Sequence, residues 1–276
     1  MHMTIACQGS AVQKKAIELF ESRKLWNWLL IRGASRSMIA SISPHLLAVQ
    51  ESIYRLDQYG ESHWSIKDSK INGLWSDIFD AISDGDAKSL VQPHVVRSLE
   101  ELKAYQNIEL ALRFGVDPLA IPISNFYYLK SCDLRLCRTL AAKHLGPVAQ
   151  SVAELRLWRL LDVSGEIRDD LEDLEEDVST LNCNRFMISL IKRGVSYTDR
   201  EYREFLQRCS SSLCEIMQNI ERVDEPTVVI SCLTKEAIAE AQCALRALIT
   251  DISDDRLLSP SQQKIVTREN VWCRLC

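Results

Sequence analysis

Carboxylate side chains at helical spacing are the feature of this sequence that could do chemistry. The stretch EIRDDLEDLEEDVS, residues 166–179, holds eight Asp and Glu residues. On a helix, which turns about 100° per residue, Asp170, Asp173 and Asp177 fall in one row beside an apolar stripe, whereas Glu172 points away from both. This pattern predicts an acidic row at the edge of a buried helix face.

A second row has the same spacing. In SDIFDAISD, residues 76–84, Asp77, Asp80 and Asp84 are also three and then four residues apart. Apolar residues again follow the same side of the predicted helix. Two helices are therefore each predicted to carry three carboxylates beside their buried face.

Metal binding is the chemistry that such rows favour. Like charges at helical spacing weaken a helix, and partly desolvated pairs repel by roughly 4 kcal/mol at 4 Å. Divalent cations relieve this repulsion, and Mg²⁺ binds carboxylate oxygens together with phosphate groups. The rows predict a Mg²⁺–diphosphate site with more than one ion. The alternative is that each row is a solvated helix face whose spacing is accidental.

These two motifs resemble those of the class I isoprenoid synthases, nearest the bacterial large terpene synthases of class IB. SDIFDAISD resembles their first Asp motif, although Ser76 stands where a plain DDxxD has its leading Asp. DLEEDVSTLN resembles their second motif, and DDLED fits the DDxxD of the trans-prenyl-diphosphate synthases. The resemblance rests on residues 77–184.

The resemblance implies a fold and a set of site residues. The fold is an all-α, single-domain helical bundle around a deep cavity, which we expect over residues 1–254, with a polar tail over residues 255–276. The acidic rows then face each other across the cavity mouth. The implied metal ligands are Asp77, Asp80, Asp84, Asp170, Asp173 and Asp177, of which all but Asp84 are also expected to be catalytic.

Cationic side chains near the second motif could bind the diphosphate. In FYYLKSCDLRLCR, residues 126–138, we expect Lys130, Arg135 and Arg138 on one side of a helix. Arginine binds phosphate oxygens bidentately, and lysine binds them as a point charge. The alternative is that the arginines are surface charges or counter-charges of Asp133.

Aromatic side chains near the motifs could line the cavity and stabilise a carbocation through their π faces. The candidates are Trp75, Phe79, Tyr127 and Tyr128. The alternative for each is an ordinary core residue.

The function implied by the resemblance is that of a Mg²⁺-dependent terpene synthase. Such an enzyme ionises a linear prenyl diphosphate, releases diphosphate, and converts the carbocation by cyclisation or elimination. A condensing or chain-elongating prenyltransferase is an alternative, because the same ionisation serves both. A non-catalytic helical protein that binds a metal or a partner is a second alternative. The sequence leaves open whether the chain acts as a homodimer.

Helices must position all of these residues, and apolar residues recur at helical spacing nearly throughout the chain. We expect helices that end at Gly33, Gly60, Gly115 and Gly146, with a break near Gly85. The predicted helices cover residues 11–34, 43–60, 71–91, 98–115, 121–146, 147–178, 198–223 and 225–252. The segment TVVISCL, residues 227–233, is the only competing candidate for a strand.

Composition excludes several classes of protein. The 276 residues carry a net charge of −5, so no basic face indicates a nucleic-acid partner. No apolar run approaches the roughly 18 residues of a membrane span. The N-terminal sequence lacks the pattern of a signal peptide, and the ten cysteines show no zinc-site spacing. These observations predict a cytoplasmic protein without an integral membrane segment.

Overall fold

The structure is a computed structural model that describes residues 11–85, 87–145, 152–177 and 180–221. Every regular element within these ranges is a helix. The all-α prediction is therefore confirmed at that level. Membership of the class I isoprenoid-synthase type stays a prediction.

The described part of the chain contains α-helices and short 3₁₀ helices. The α-helices are α1 Ala11–Ser22, α2 Leu25–Ile31, α3 Arg36–Ser62, α4 Asp68–Gly85, α5 Pro93–Ala111, α6 Ile123–Lys130, α7 Cys132–Ala142, α8 Val152–Glu172, α9 Leu174–Asp177, α10 Arg185–Arg193 and α11 Val195–Glu221. The 3₁₀ helices are Ala87–Val91, Leu112–Phe114 and Pro118–Ala120.

Glycines end helices at three of the positions that the sequence predicted, whereas Gly146 lies outside the described residues. Gly33 and Gly115 follow helical segments with φ of 87° and 77°, a left-handed conformation that costs glycine least. Helix α4 ends at Gly85, as expected. Gly60, in contrast, lies inside α3, which continues to Ser62.

Some predicted helices have different bounds. The first is split into α1 and α2 because Lys24 adopts a left-handed conformation with φ of 57°. Helix α3 begins at Arg36, and Pro44 lies in its interior rather than at its start. The signal at its start is Ser35, whose Oγ accepts a hydrogen bond from the Met38 amide at 3.1 Å.

The helices that carry the motifs are also interrupted. One break falls at Ser131, between α6 and α7, and another at Asp173, between α8 and α9. Helix α10 was not predicted at all. The predicted helix over 225–252, the candidate strand within it and the tail over 255–276 lie outside the described residues.

The chain divides into two compact units, so the single-domain prediction remains untested. The first unit comprises Met1–Tyr59, Ser65–Leu99 and Asp133–Gly146, and the second comprises Gly60–Trp64, Glu100–Cys132 and Pro147–Cys276. Phe20, Leu46 and Ile78 are fully buried in the first unit. Phe126, Ile167 and Leu206 are fully buried in the second.

Cysteines contribute small side chains to these cores. Cys132, Cys137, Cys183 and Cys209 are buried free thiols, whereas Cys214 is exposed.

No helix in the described ranges combines the length and apolarity needed to cross a membrane.

Candidate functional site

Asp170 is the centre of a buried polar cluster in the second unit. Its side chain is fully buried on α8 and forms an ion pair with Lys130, the last residue of α6. Its other carboxylate oxygen accepts hydrogen bonds from the Tyr127 hydroxyl at 2.7 Å and from the Phe186 amide at 3.4 Å. Both oxygens of Asp170 are therefore bonded to protein donors.

The local sequence explains why these groups meet. Tyr127 and Lys130 are three residues apart on α6 and lie on one helix face. Helix α6 packs against α8, where Asp170 is on the buried side. A buried carboxylate needs such partners because an isolated charge in the protein interior is strongly destabilising.

The cluster continues from Tyr127 to α10 and α11. The hydroxyl groups of Tyr127 and Tyr202 are 2.8 Å apart. Arg185 donates to the Tyr202 hydroxyl at 3.3 Å and forms an ion pair of 3.1 Å with Glu201. Two cations and two carboxylates are thus linked through two tyrosines.

The cluster fixes the protonation states of its members. Burial by itself lowers the pKa of Lys130, but the negative charges of Asp170 and Glu166 outweigh it and hold that pKa well above its ordinary value. Burial raises the pKa of Tyr127, and the charge of Asp170 raises it further. Lys130 is therefore a cation, and Tyr127 a neutral hydrogen-bond donor, across the physiological range.

Asn184 connects the cluster to Asp177, the last residue of α9. Its side-chain amide donates to the Asp170 backbone carbonyl at 2.6 Å and to Asp177 at 2.8 Å. Its side-chain oxygen accepts from the Met187 amide at 2.8 Å and so caps α10. Burial raises the pKa of Asp177 to about 7, although the hydrogen bond from Asn184 acts in the opposite direction.

The predicted second row is thus divided by burial. Asp170 and Asp177 are buried, but Asp173 is exposed, like its neighbour Glu172. The sequence placed Asp173 beside the buried stripe. In the structure, Asp173 lies between α8, which ends at Glu172, and α9, which starts at Leu174.

The predicted first row lies on α4, in the first unit. Asp77, Asp80 and Asp84 are all exposed. Of the two aromatic candidates on this helix, Trp75 is buried and Phe79 is 40% exposed. The row on α4 is therefore a solvent-accessible set of carboxylates, and its predicted position opposite the second row remains untested.

The predicted diphosphate-binding residues do not all belong to one unit. Lys130 is in the second unit, whereas Arg135 and Arg138 lie on α7 in the first. Arg138 is buried. Burial raises the pKa of Asp133, whereas a hydrogen bond from Gln50 and the charges of nearby groups, Arg135 among them, lower it. This supports the alternative that Arg135 is a counter-charge of Asp133.

Magnesium fits only part of the predicted ligand set. Exposed carboxylates such as Asp77, Asp80 and Asp173 present the oxygen donors that Mg²⁺ prefers. Asp170 does not fit, because its two oxygens are already bonded to Lys130, Tyr127 and a backbone amide. Across the described ranges, no group of three or more His, Cys, Asp and Glu side chains is close enough to hold a metal ion.

Several members of the cluster, Tyr202 and Asn184 among them, were not among the sequence candidates. Asn184 could have been found, because an Asn directly before the amphipathic stretch RFMISLIKR is a helix-start signal. Tyr202 had no such signal, since a tyrosine on a long helix is equally compatible with an ordinary core position. Tyr128, a predicted cavity residue, instead has Arg159 over its ring at 4.6 Å.

Comparisons of this chain with protein-family models, with curated proteins and with solved structures find no match.

Proposed function

We propose that the chain is a Mg²⁺-dependent class I terpene synthase with the helical fold of that superfamily. It ionises a linear prenyl diphosphate and converts the carbocation by cyclisation or elimination. The observation that carries the proposal is the Lys130–Asp170 ion pair. Residues that the sequence assigned separately to diphosphate binding and to the acidic motif contact each other.

Lys130 has the properties of an anion-binding residue. Its pKa is held well above the ordinary value, and Asp170 fixes the position of its ammonium group. An ammonium group has three N–H donors, so donors remain for a diphosphate oxygen. The side chain is 14% exposed, and the proposal requires that a diphosphate oxygen reach its ammonium group from solvent.

The carboxylates have different proposed roles. Asp77, Asp80, Asp84 and Asp173 are exposed and would hold the metal ions. Bound Mg²⁺ would supply positive charge that stabilises the departing diphosphate. Asp170 acts as a positioning residue that orients Lys130 and Tyr127.

The first experiment asks whether the chain is an enzyme. Prenyl diphosphates of ten, fifteen, twenty and twenty-five carbons are incubated with the chain, with and without Mg²⁺. Inorganic diphosphate and product mass are then measured. Mg²⁺-dependent release of diphosphate supports the proposal, and a longer prenyl product on addition of isopentenyl diphosphate favours the condensing prenyltransferase.

If diphosphate is released from none of the four substrates, the proposal is contradicted. That result would favour the non-catalytic alternative. The charges of Lys130 and Asp170 are already neutralised within the protein, so this alternative needs no ligand at the cluster.

The second experiment tests Asp173 against its neighbour Glu172. Both side chains are exposed, and each change to the amide, Asp173→Asn or Glu172→Gln, removes one charge. Glu172 makes an exposed contact of 3.8 Å with Arg168. We expect Asp173→Asn to lower the rate of diphosphate release about a hundredfold, as for loss of one electrostatic stabiliser.

Glu172→Gln should retain nearly full activity, and both variants should unfold at the same temperature as the original protein. Equal rates in the two variants, or greater damage in Glu172→Gln, would show that Asp173 is not a metal ligand.

A further inference from the structure

A groove between α8 and α11 concentrates positive charge in the second unit. It encloses about 270 Å³, and three arginines line it: Arg156 and Arg159 from α8 and Arg208 from α11. All three are exposed. The groove lies within the second unit, and Ser124 of α6 completes one side of it.

The contacts that the three arginines make within the protein are weak, so their guanidinium groups could bind an anion. Arg159 lies over the Tyr128 ring at 4.6 Å, and Arg208 lies over the Phe205 ring at 5.9 Å. Neither has a carboxylate within ion-pair distance among the described residues. Arg156 contacts Glu215 at 3.5 Å, where both side chains are about half-exposed or more, and exposed pairs of this kind contribute little free energy.

The floor of the groove is apolar. Leu160, Val163 and Phe205 line it, and Val163 and Phe205 are buried residues whose side chains also belong to the core. Guanidinium groups bind phosphate oxygens bidentately, while an apolar floor favours hydrocarbon. A groove of about 270 Å³ has room for a phosphate head group and a few carbons.

We propose that this groove binds a small amphiphilic phosphate ester, with its phosphate on Arg156, Arg159 and Arg208 and its short hydrocarbon chain on Leu160, Val163 and Phe205. The site is distinct from the polar cluster. Leu160 and Asp170 are ten residues apart on α8, which is about 15 Å along a helix. The proposal does not depend on the proposed enzymatic function.

Butyl phosphate is a suitable probe, and its binding to the full chain is measured by titration calorimetry in the presence of EDTA. EDTA removes divalent cations, so that metal-dependent binding at the acidic rows does not contribute. Inorganic phosphate tests the head group alone, and 1-butanol tests the chain alone. We expect butyl phosphate to bind about tenfold or more tightly than inorganic phosphate, and 1-butanol not to bind measurably.

The double variant Arg159→Gln/Arg208→Gln should weaken butyl phosphate binding at least about tenfold, because two charge-assisted contacts are lost. Arg200→Gln is the matched control, since Arg200 is also an exposed arginine of α11 but lies outside the groove. Leu160→Ala should reduce the advantage of butyl phosphate over phosphate. Circular dichroism confirms that each variant is folded.

Equal affinities for phosphate and butyl phosphate would overturn the proposal, because the apolar floor would then contribute nothing. Unchanged binding in the double variant, or the same loss in Arg200→Gln, would also overturn it. Absence of butyl phosphate binding to the original protein would have the same meaning.

Discussion

Lys130 carries a positive charge into the protein interior, and this is stable because Asp170 neutralises it. The Lys130 side chain is 14% exposed and that of Asp170 is fully buried. A buried ion pair adds little net stability, but removal of one partner leaves an uncompensated charge. The pair therefore matters most when it is broken.

Replacement of Lys130 by Gln should lower the free energy of unfolding by about 3–5 kcal/mol, because Asp170 would keep its charge without a cation. Lys192→Gln is the control. Lys192 forms a more exposed pair of 3.3 Å with Asp117, and its loss should cost less than about 1 kcal/mol. Urea unfolding measures both values.

The double variant Lys130→Gln/Asp170→Asn should recover part of the lost stability, since both charges are removed together. Equal losses in Lys130→Gln and Lys192→Gln would show that the pair is effectively solvated.

Glu109 of α5 is a second residue whose environment disfavours its charge. Burial raises its pKa to about 8, and the negative charge of Glu61 adds to the effect, whereas Lys130, Tyr105 and Arg113 act against it. In the unfolded chain the pKa lies near 4.5. Folding therefore takes up a proton between these values.

Stability should consequently fall as the pH rises. The contribution of protonated Glu109 is fully present below the unfolded pKa and is lost as the pH passes through about 8. Between pH 5.5 and pH 8 we expect a loss of about 2 kcal/mol from this group, with allowance for partial solvation. Urea unfolding at the two pH values measures it.

Glu109→Gln should remove the contribution of Glu109 to this pH dependence, because the amide does not titrate. The contribution of Asp177, whose pKa is raised to about 7, should remain. Glu100→Gln, at an exposed position of the same helix, should leave the whole pH dependence unchanged. An unaltered pH profile in Glu109→Gln would mean that Glu109 ionises normally.

At the scale of the elements, glycine has opposite effects inside a helix and at its end. Gly73 lies in α4 and Gly33 follows α2 with φ of 87°, and an added Cβ would meet no atom within 4 Å at either position. Substitution by alanine would therefore create no steric clash at either position. Only backbone conformation distinguishes the two sites.

Gly73→Ala should raise the free energy of unfolding by about 0.5–1 kcal/mol, because alanine loses less conformational entropy in a helix. Gly33→Ala should lower it by about 1–2 kcal/mol, because alanine is strained at positive φ. Thermal unfolding of the two variants provides the measurement. A change of the same sign in both would contradict this account.

Helix positions were predictable from the sequence where the signal is local. The ends at Gly33 and Gly115 and the break at Gly85 follow from the backbone freedom of glycine. The left-handed conformation of Lys24 and the helical position of Pro44 were not predictable. Lysine favours helices and proline disfavours their interiors, so both residues depart from their intrinsic preferences.

At the scale of the whole molecule, the all-α class was predictable because apolar residues recur at helical spacing through most of the chain. The polar cluster was only partly predictable. Periodicity identified Asp170, and Lys130 was identified as a cation near the second motif, but neither signal shows that these residues pair. Pairing depends on how α6 packs against α8. A local sequence pattern does not reveal this packing.

The buried thiols have a consequence for chemical labelling. Burial raises the pKa of Cys137 and Cys183 well above the ordinary value, and that of Cys209 to about 11. Only the thiolate attacks an alkylating reagent, so these groups are inert while the protein is folded. Each becomes reactive when its surroundings open, whereas Cys214 is accessible throughout. The chain therefore contains its own reporters of local opening: Cys137 for the first unit, and Cys183 and Cys209 for the second.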